Sequence, residues 1–466
     1  MLQRFTTEAP VIDEVDVLVC GGGPAGIGAA IAAGREGASV MLIEQQGQLG
    51  GVATGALVGV WLGSYSRDGA YPVVGGIFSE IVHRLVSEGA AKPAAEDVVG
   101  GSRHVGYAPW HGRVVPFEFE PCKRVCEQMA LEAGARIRYF TQVVRPKEED
   151  GHLQGVFVHS KSGMEFISAK VVVDATGDAD VAFRAGCPVM KGREEDGLMS
   201  PVTTVLVVEE VDSAAFESYC RKTDDYRFRK LISELKEKEE WPFVFEIIIC
   251  CEMARRGRFC VNTLRQTGID GTNADDLTRG MIEGRAQAAT LLDLMRRYVP
   301  GFARARLVQT SSVLGVRDTR RIIGDYVITV ADVTEGRHYP DTIALSGYGW
   351  DMADPKRPSH QCMWGKPMRL PYVEIPYRSL LPQGVGNLLV GGRCVSAEWD
   401  ALGPVRIMPA CFAMGQAAGT AAAMAAQCGI TMRDVSVSAL RERLVAQGAI
   451  LTPDGGSIRP VSRVAR

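Results

Sequence analysis

An α/β fold is what this sequence predicts, with a parallel-sheet domain interrupted by an inserted α+β block, and three observations carry the prediction. Val15 to Glu44, VDVLVCGGGPAGIGAAIAAGREGASVMLIE, reads strand, glycine turn, helix, strand and acid in that order. A second buried strand, Val171 to Asp174, runs into Ala175-Thr176-Gly177-Asp178, and a third, Asn387 to Val390, runs into Gly391-Gly392-Arg393. Between these last two, the stretch from about Gly192 to Asp341 has a different composition, as expected of an insertion. The expected division is 1–190, with a smaller insertion near 68–115, then 191–384 as a substrate or cap domain, then 385–466 returning to the first domain. Within the middle part, 308–333 is expected to come back to the ligand.

The first stretch is the most explicit. Val15 to Cys20 is an apolar, β-branched run suited to a buried parallel strand. Gly21, Gly23 and Gly26 follow in GxGxxG spacing. The first permits the tight turn, the second lets a pyrophosphate approach the backbone, and the third lets the helix lie against the sheet. Ala29 to Arg35 reads as that helix, whose free amides and positive dipole end face the phosphates. Ser39 to Ile43 is the next strand, and Glu44 stands about 20 residues beyond the last glycine, placed to accept from ribose hydroxyls. An acid there argues against NADP. The order of elements, rather than the glycines alone, makes this a Rossmann-like dinucleotide site.

At 466 residues, more than one structural unit is expected. The composition, 46% apolar and 23% charged with a net charge of −3, lacks the basic face that nucleic-acid binding requires. No apolar run is long enough to span a bilayer, and MLQRFTTEAPVIDE lacks the apolar stretch of a signal peptide, so a cytoplasmic location is expected. The 12 cysteines contain no CxxC and no metal-ligand spacing. Most read as small buried hydrophobes, while Cys122 and Cys126, one helical turn apart, are the sole conceivable redox pair.

The remaining elements follow in order. QQGQLGGVATGALVGVWLG, after Glu44, is small and apolar enough to pass under a flat ring, with Gly50 and Gly51 as closest points. Ile77 to Glu88 has helical periodicity, Lys92 to Tyr107 is loop-like, and His104 and His111 lie where a loop could reach back over the ligand. Strands are expected at Phe117 to Phe119, Arg136 to Thr141 and Gly155 to His159, and a helix at Pro121 to Glu132. In the insertion, Thr203 to Glu209 and Phe243 to Cys251 read as strands, Tyr226 to Glu240 as a charged helix and Asp276 to Tyr298 as a long one. Arg317, Arg320 and Arg321 cluster beside an expected strand, Tyr326 to Val330. They suit a carboxylate or phosphate clamp, or an internal ion-pair network with Asp318 and Asp325; the sequence leaves both open. Pro409 to Met424 is a helix of Ala, Gly and Met, small enough to sit close to another element.

Four blocks now carry a resemblance: CGGGPAGIGAAIAA with LIE, VVDATGDADVA, LGVRDTRRIIGDYVIT, and EIPYRSLLPQGVGNLLVGGRCVSA with RIMPACFAMGQAAGTAA. The chain resembles FAD-dependent oxidoreductases of the glutathione-reductase-type flavin fold, in the branch with a single dinucleotide fingerprint. The resemblance implies FAD as cofactor. Gly21, Gly23, Gly26 and Glu44 would hold its ADP half, Gly50 and Gly51 would line the ring, and Thr176, Gly177 and Asp178 would fix the adenine-side phosphates and sugar. Arg393 and the Arg406 to Gly415 stretch would surround the ribityl chain and the pyrimidine edge, where the dipole of the last helix would stabilise negative charge. Pro24, Ala25, Gln45, Val143, Ala175, Gly392, Pro409, Ala410 and Met414 complete the expected cofactor contacts. The chain departs from the pattern in carrying Trp399, in SAEWDALG, where relatives often have a histidine, and again in WDMAD, Trp350 to Asp354.

The implied function is hydride transfer between a small organic substrate and flavin N5, as a dehydrogenase or oxidase, with a second, unnamed electron acceptor. Arg406 is the first candidate for a substrate-side or ring-side cation and Arg317 the next, with Tyr377, Asp400 and His111 as candidate proton-transfer groups. Reduction of an activated C=C bond, with an arginine as proton donor, is the alternative, and an electron-transfer flavoprotein subunit the third. No second GxGxxG marks a nicotinamide domain, no cysteine lies between Cys20 and Cys122 to make a disulfide reductase, and no GWxWxIP run marks a halogenase. No metal is expected, and a homo-oligomer is left open.

Overall fold

The computed structural model describes residue 3, residues 6–94 and residues 104–453. Its principal sheet has seven strands. In chain order they are β1 (Val11–Cys20), β2 (Val40–Ile43), β3 (Arg136–Arg138), β4 (Gln142–Glu149), β5 (His152–Ser160), β6 (Gly163–Asp174) and, far along the chain, Leu388–Val390. β3, β2, β1 and β6 lie side by side in parallel, while β5 and β4 extend the sheet as an antiparallel hairpin from β6. Leu388–Val390 joins β6 in parallel. Cys20 and Val390 both pair with Asp174, so three strands separated by up to hundreds of residues end level with one another. In open α/β sheets that carboxyl edge is where ligands bind.

Helix α1 (Pro24–Arg35) is longer than the expected Ala29 to Arg35, because Pro24 fixes φ at the first helical position and Gly23 serves as an uncapped N-cap. It packs against the last long helix, Met408–Cys428, through glycine and alanine. A Cβ added at Gly415 would stand 2.0 Å from the carbonyl oxygen of Ala25, and one at Gly419 would stand 2.1 Å from that of Ala29. Bulkier residues would therefore force the helices apart, and this contact centres the largest core cluster.

A second, antiparallel sheet of four strands is built from residues 202–310: β7 (Val202–Glu209), β8 (Cys250–Glu252), β9 (Phe259–Gln266) and β10 (Arg306–Thr310), in the order β8-β9-β7-β10. Helix α2 (Ala274–Tyr298), capped by the Asn273 side chain, covers it over a core of Phe216, Phe228, Phe259 and Phe302. Among the described residues no helix is long and apolar enough to cross a membrane.

Three expected elements are not formed. Phe117 to Phe119 is not a strand: Val115–Pro116 pairs with Val60–Trp61, the Phe117 ring stacks on Trp61 at 4.0 Å, and a helix starts at Phe119. Of Phe243 to Cys251 only the end joins a ladder, in β8; Phe243 and Phe245 are held by ring stacking at 4.7 Å instead. Tyr326 to Val330 makes only an isolated parallel bridge, Ile328 to Ala397, because Thr329 forms a capping box with Asp332 and starts the helix Val330–Glu335. The charged helix is shorter than expected, Arg229–Glu237, because Phe228 takes a left-handed conformation at its N-cap. Residues 95–103 of the expected loop lie outside the described residues.

Candidate functional site

The level ends of β1, β6 and Leu388–Val390 bring the three glycine-bearing turns together. Gly21 has φ +107, and a Cβ there would meet the Ala175 carbonyl oxygen at 2.4 Å, so the first and second turns touch where no side chain fits. The Ala175 amide donates to Cys20 O (2.9 Å), and the Gly391 amide donates to Asp174 O (3.0 Å). Gly392 lies over Ala25 and Cys411, joining the third turn to the starts of both helices.

Charges in this crevice are fixed by the backbone. The buried Asp174 carboxylate accepts from Thr176 N (3.1 Å), Thr176 Oγ1 (2.7 Å), Val181 N (2.9 Å) and Ala182 N (2.9 Å), and so shapes the ATGD turn. Burial lifts its carboxyl to about 6 against the pull of those donors. Glu44 is also buried, accepting from Gly22 N and Gln46 N at 2.7 Å each, and burial raises its carboxyl too. Asp178 receives Arg393 Nη2 at 2.7 Å and Thr319 Oγ1 at 2.6 Å.

FAD fits the residues present. No side chain caps α1, which leaves first-turn amides, including those of Ala25 and Gly26, for a phosphate. A Cβ at Gly23 would meet only Gly51, at 3.9 Å, so the space over the turn is open. Met408–Cys428 also begins without a side-chain cap, with Pro409 in its first turn and Ala410 buried behind it. Gly50 and Gly51 sit against Gly22 and Gly23, the Gly50 amide donating to Gly22 O at 2.8 Å. Of the other expected contacts, Gln45 is exposed beside Glu44, Val143 is buried on β4 with its carbonyl accepting from Arg184, and Met414 is fully buried within its helix.

The candidate catalytic residues divide. Arg317 and Arg406 come together. Arg317 Nη1 donates to Pro201 O (2.6 Å) and Thr203 Oγ1 (2.7 Å), and Arg406 Nη2 donates to Asp351 O (2.5 Å) and Asp351 Oδ2 (3.0 Å). Thr203 is the cross-strand partner of Arg265 on β9, and it also pairs with Gly315, which follows Ser312, itself bonded to Gly55 O. The arginines thus lie between the second sheet and the segment after Gly51. Burial pushes Arg317 down to about 10, with Arg406 the next cause, and pushes Arg265 down to about 9. His111 joins from the other side, its Nε2 lying 3.1 Å from Arg227 Nη2, and burial followed by Arg227 depresses its imidazole to about 3.

Tyr377 and Asp400 are not brought to this chamber. Tyr377 is buried in the main core and its hydroxyl donates to Met432 O (2.9 Å), an internal tie that a proton-transfer group would have to break. The charged neighbours of Asp400 are Lys366, Glu195, Arg193 and Glu398, none of them in the chamber. Of the two readings left open for Arg317, Arg320 and Arg321, the ion-pair network with Asp318 and Asp325 is not formed among the described residues. Asp318 accepts from Ser200 N and Trp399 Nε1, Asp325 pairs with Arg433, Arg320 pairs with Asp180, and Arg321 donates to backbone carbonyls. Trp399, which departs from the pattern the chain resembles, is thus a buried donor to Asp318.

Arg227, Arg265, Tyr348 and Asp351 are functional candidates that sequence reasoning missed. Arg265 had a signal, being a cation inside the apolar strand FCVNTLRQ, and so had Arg227, set between Tyr226 and Phe228. Cys122 and Cys126 lie buried on one helix face, and among the described residues no group of three or more His, Cys, Asp or Glu is placed to hold a metal.

Several known proteins are similar to this chain. Digeranylgeranylglycerophospholipid reductases 1 and 2 of Methanopyrus kandleri are 26% identical over 208 residues and 27% over 164, covering 44% and 35% of this chain. The chain spans half the length of the first of these relatives and 38% of the second. Among solved structures, a geranylgeranyl bacteriochlorophyll reductase-like protein from Thermoplasma acidophilum aligns over 93% of this chain and 84% of its own, with TM-score 0.45 and 14% identity. The flavin-dependent brominase Bmp2 aligns over 92% and 83%, also with TM-score 0.45 and 14% identity. The model of the family described as FAD dependent oxidoreductase matches residues 16–444, from β1 to the final helix, and the chain belongs to that family.

Proposed function

We propose that this FAD-dependent oxidoreductase is a dehydrogenase or oxidase of a small organic substrate. The bound flavin supplies hydride transfer at N5, and the protein supplies orientation and electrostatics. The observation that carries this reading is the convergence of Arg317 and Arg406 next to the segment that follows the nucleotide cradle, with Asp351 bound to Arg406. In that position the two guanidiniums hold and orient a substrate, and the uncapped start of Met408–Cys428 favours negative charge at the cofactor. Tyr348, whose hydroxyl burial pushes up, keeps its proton beside Asp351.

A second reading is favoured by the depressed guanidiniums of Arg265 and Arg317: an arginine made more acidic can give a proton to carbon, as reduction of an activated C=C bond requires. Anaerobic mixing of the FAD-loaded protein with alcohols, amines, hydroxy acids and enoates, followed at the flavin absorbance, separates the readings. Bleaching by a saturated substrate supports the first. Recovery of colour, after chemical reduction, on adding an enoate supports the second. Silence from every class favours an electron-transfer subunit and sinks both.

A further inference from the structure

The chamber holds more positive charge than the protein neutralises. Arg227, Arg265, Arg317 and Arg406 face two carboxylates, Asp351 and Asp318, and the second is already taken by Ser200 N and Trp399 Nε1. Among the described residues no carboxylate lies within salt-bridge distance of Arg227, Arg265 or Arg317. Their recorded partners are instead His111 for the first, Pro358 O for the second (2.6 Å), and Pro201 O and Thr203 Oγ1 for the third. Other inward arginines have a carboxylate: Arg193 is paired with Asp196, Arg393 with Asp178 and Arg138 with Glu165. Arg321 also lacks one, but it stands alone, donating to Ala397 O and Gly192 O, whereas the chamber sets three such guanidiniums together.

Two further details show unmet donors. Arg265 Nε and Arg406 Nε are buried with no hydrogen-bond partner, and the Arg265 residue is only 4% exposed. His111 is flanked by two groups that can only donate, the Ala108 amide at Nδ1 (3.0 Å) and Arg227 at Nε2 (3.1 Å). A neutral imidazole has one acceptor nitrogen, so it satisfies one of them and leaves two donors facing each other at the other. Arg317 is only half-buried, so its guanidinium is open to a ligand. Burying cations without counterions is costly, and an anion that supplied the missing acceptors would offset that cost.

We propose that this chamber binds the carboxylate of an organic acid, gripped by Arg265 and Arg317 with Arg227 and Arg406 alongside. The planar, bidentate fork of arginine matches a carboxylate, and Asp351, by occupying Arg406, leaves the other three for the ligand. The proposal rests on the reading above only in treating that acid as the substrate.

The test uses FAD-loaded protein and no turnover. Acetate, succinate and inorganic phosphate are titrated by calorimetry and thermal shift, with succinamide as the neutral isostere. Succinate is expected to bind and raise Tm, succinamide to do neither, and Arg317→Gln to weaken succinate by at least about tenfold. Arg265→Met, which removes an uncompensated charge, is expected to leave the ligand-free Tm equal or higher while abolishing the succinate-induced shift, an outcome no misfolded variant gives. The proposal is overturned by succinamide binding as well as succinate, by phosphate binding without any carboxylate, by no binding at all, or by succinate affinity unchanged in both variants. Succinate binding that depends on the arginines, with no organic acid altering the flavin colour, keeps the anion site and retires the hydride-transfer reading.

Discussion

The crevice at the ends of β1 and β6 and the arginine chamber beneath the second sheet are both rich in buried charge, and they handle it in opposite ways. In the crevice, Asp174 has four donors, Glu44 has two amides and Arg393 has Asp178. In the chamber, Arg265 has one carbonyl and an orphaned Nε. The first arrangement is finished without a ligand and serves to hold a backbone shape. The second is unfinished, and that is the mark of a place where something else supplies the missing acceptor. Buried charge alone therefore does not identify a substrate site, and neither does one unpaired cation such as Arg321; several unpaired cations gathered together point to one.

Breaking the crevice should be the most damaging. Gly415→Val drives a branched side chain into Ala25 O, 2.0 Å from the Cβ position, and is expected to cost about 3 kcal/mol or more and to lose FAD, read by denaturant unfolding and the absorbance of the purified protein. Asp174→Asn turns an acceptor of four donors partly into a donor, and is expected to cost about 2 kcal/mol at pH 8, seen as a lower denaturation midpoint.

The chamber should respond to pH rather than collapse. His111 titrates near 3 in the folded protein and near its ordinary 6.5 when unfolded, so the unfolded chain takes up a proton below pH 6.5 that the folded chain refuses. Stability therefore falls as pH drops from 6.5 toward 3, by at most about 1.4 kcal/mol per pH unit from this group. His111→Gln should flatten that slope in unfolding curves measured at pH 7, 6 and 5; an unchanged slope sinks the assignment. Smallest of all is Arg265→Met, expected to be neutral or stabilising by about 1 kcal/mol in the ligand-free protein, the reverse of what the same change at Arg393 should do.

The crevice was legible in the sequence because its chemistry is local. Glycine spacing, a flanking apolar strand and a terminal acid are contiguous, so Gly21, Gly26, Glu44 and Asp178 could be named from the order of residues alone. The chamber was only half legible. Arg317 and Arg406 stood out in motif-like blocks, but Arg265 faces Thr203 across a ladder, and Arg227 approaches through the backbone contact of its carbonyl with Ile248 N; neither proximity is written in linear spacing. Tyr377 stands out because it lies in a recognisable block, but what the linear sequence does not show is that its hydroxyl ties the Tyr377–Leu380 turn to Met432. Local capping overrode strand propensity at Tyr326 to Val330, and aromatic stacking did so at Phe243 and Phe245.

The pairing of Leu388–Val390 with β6, and of Met408–Cys428 with α1, has a consequence for biosynthesis. A ribosome that has released only the first 384 residues has produced a β6 without its last parallel neighbour and an α1 with a bare alanine and glycine face. Such contacts, closed across nearly the whole polypeptide, are slow to form, and the intermediate is exposed to aggregation until they do. The cradle at the ends of these strands is therefore complete only after translation of the final long helix.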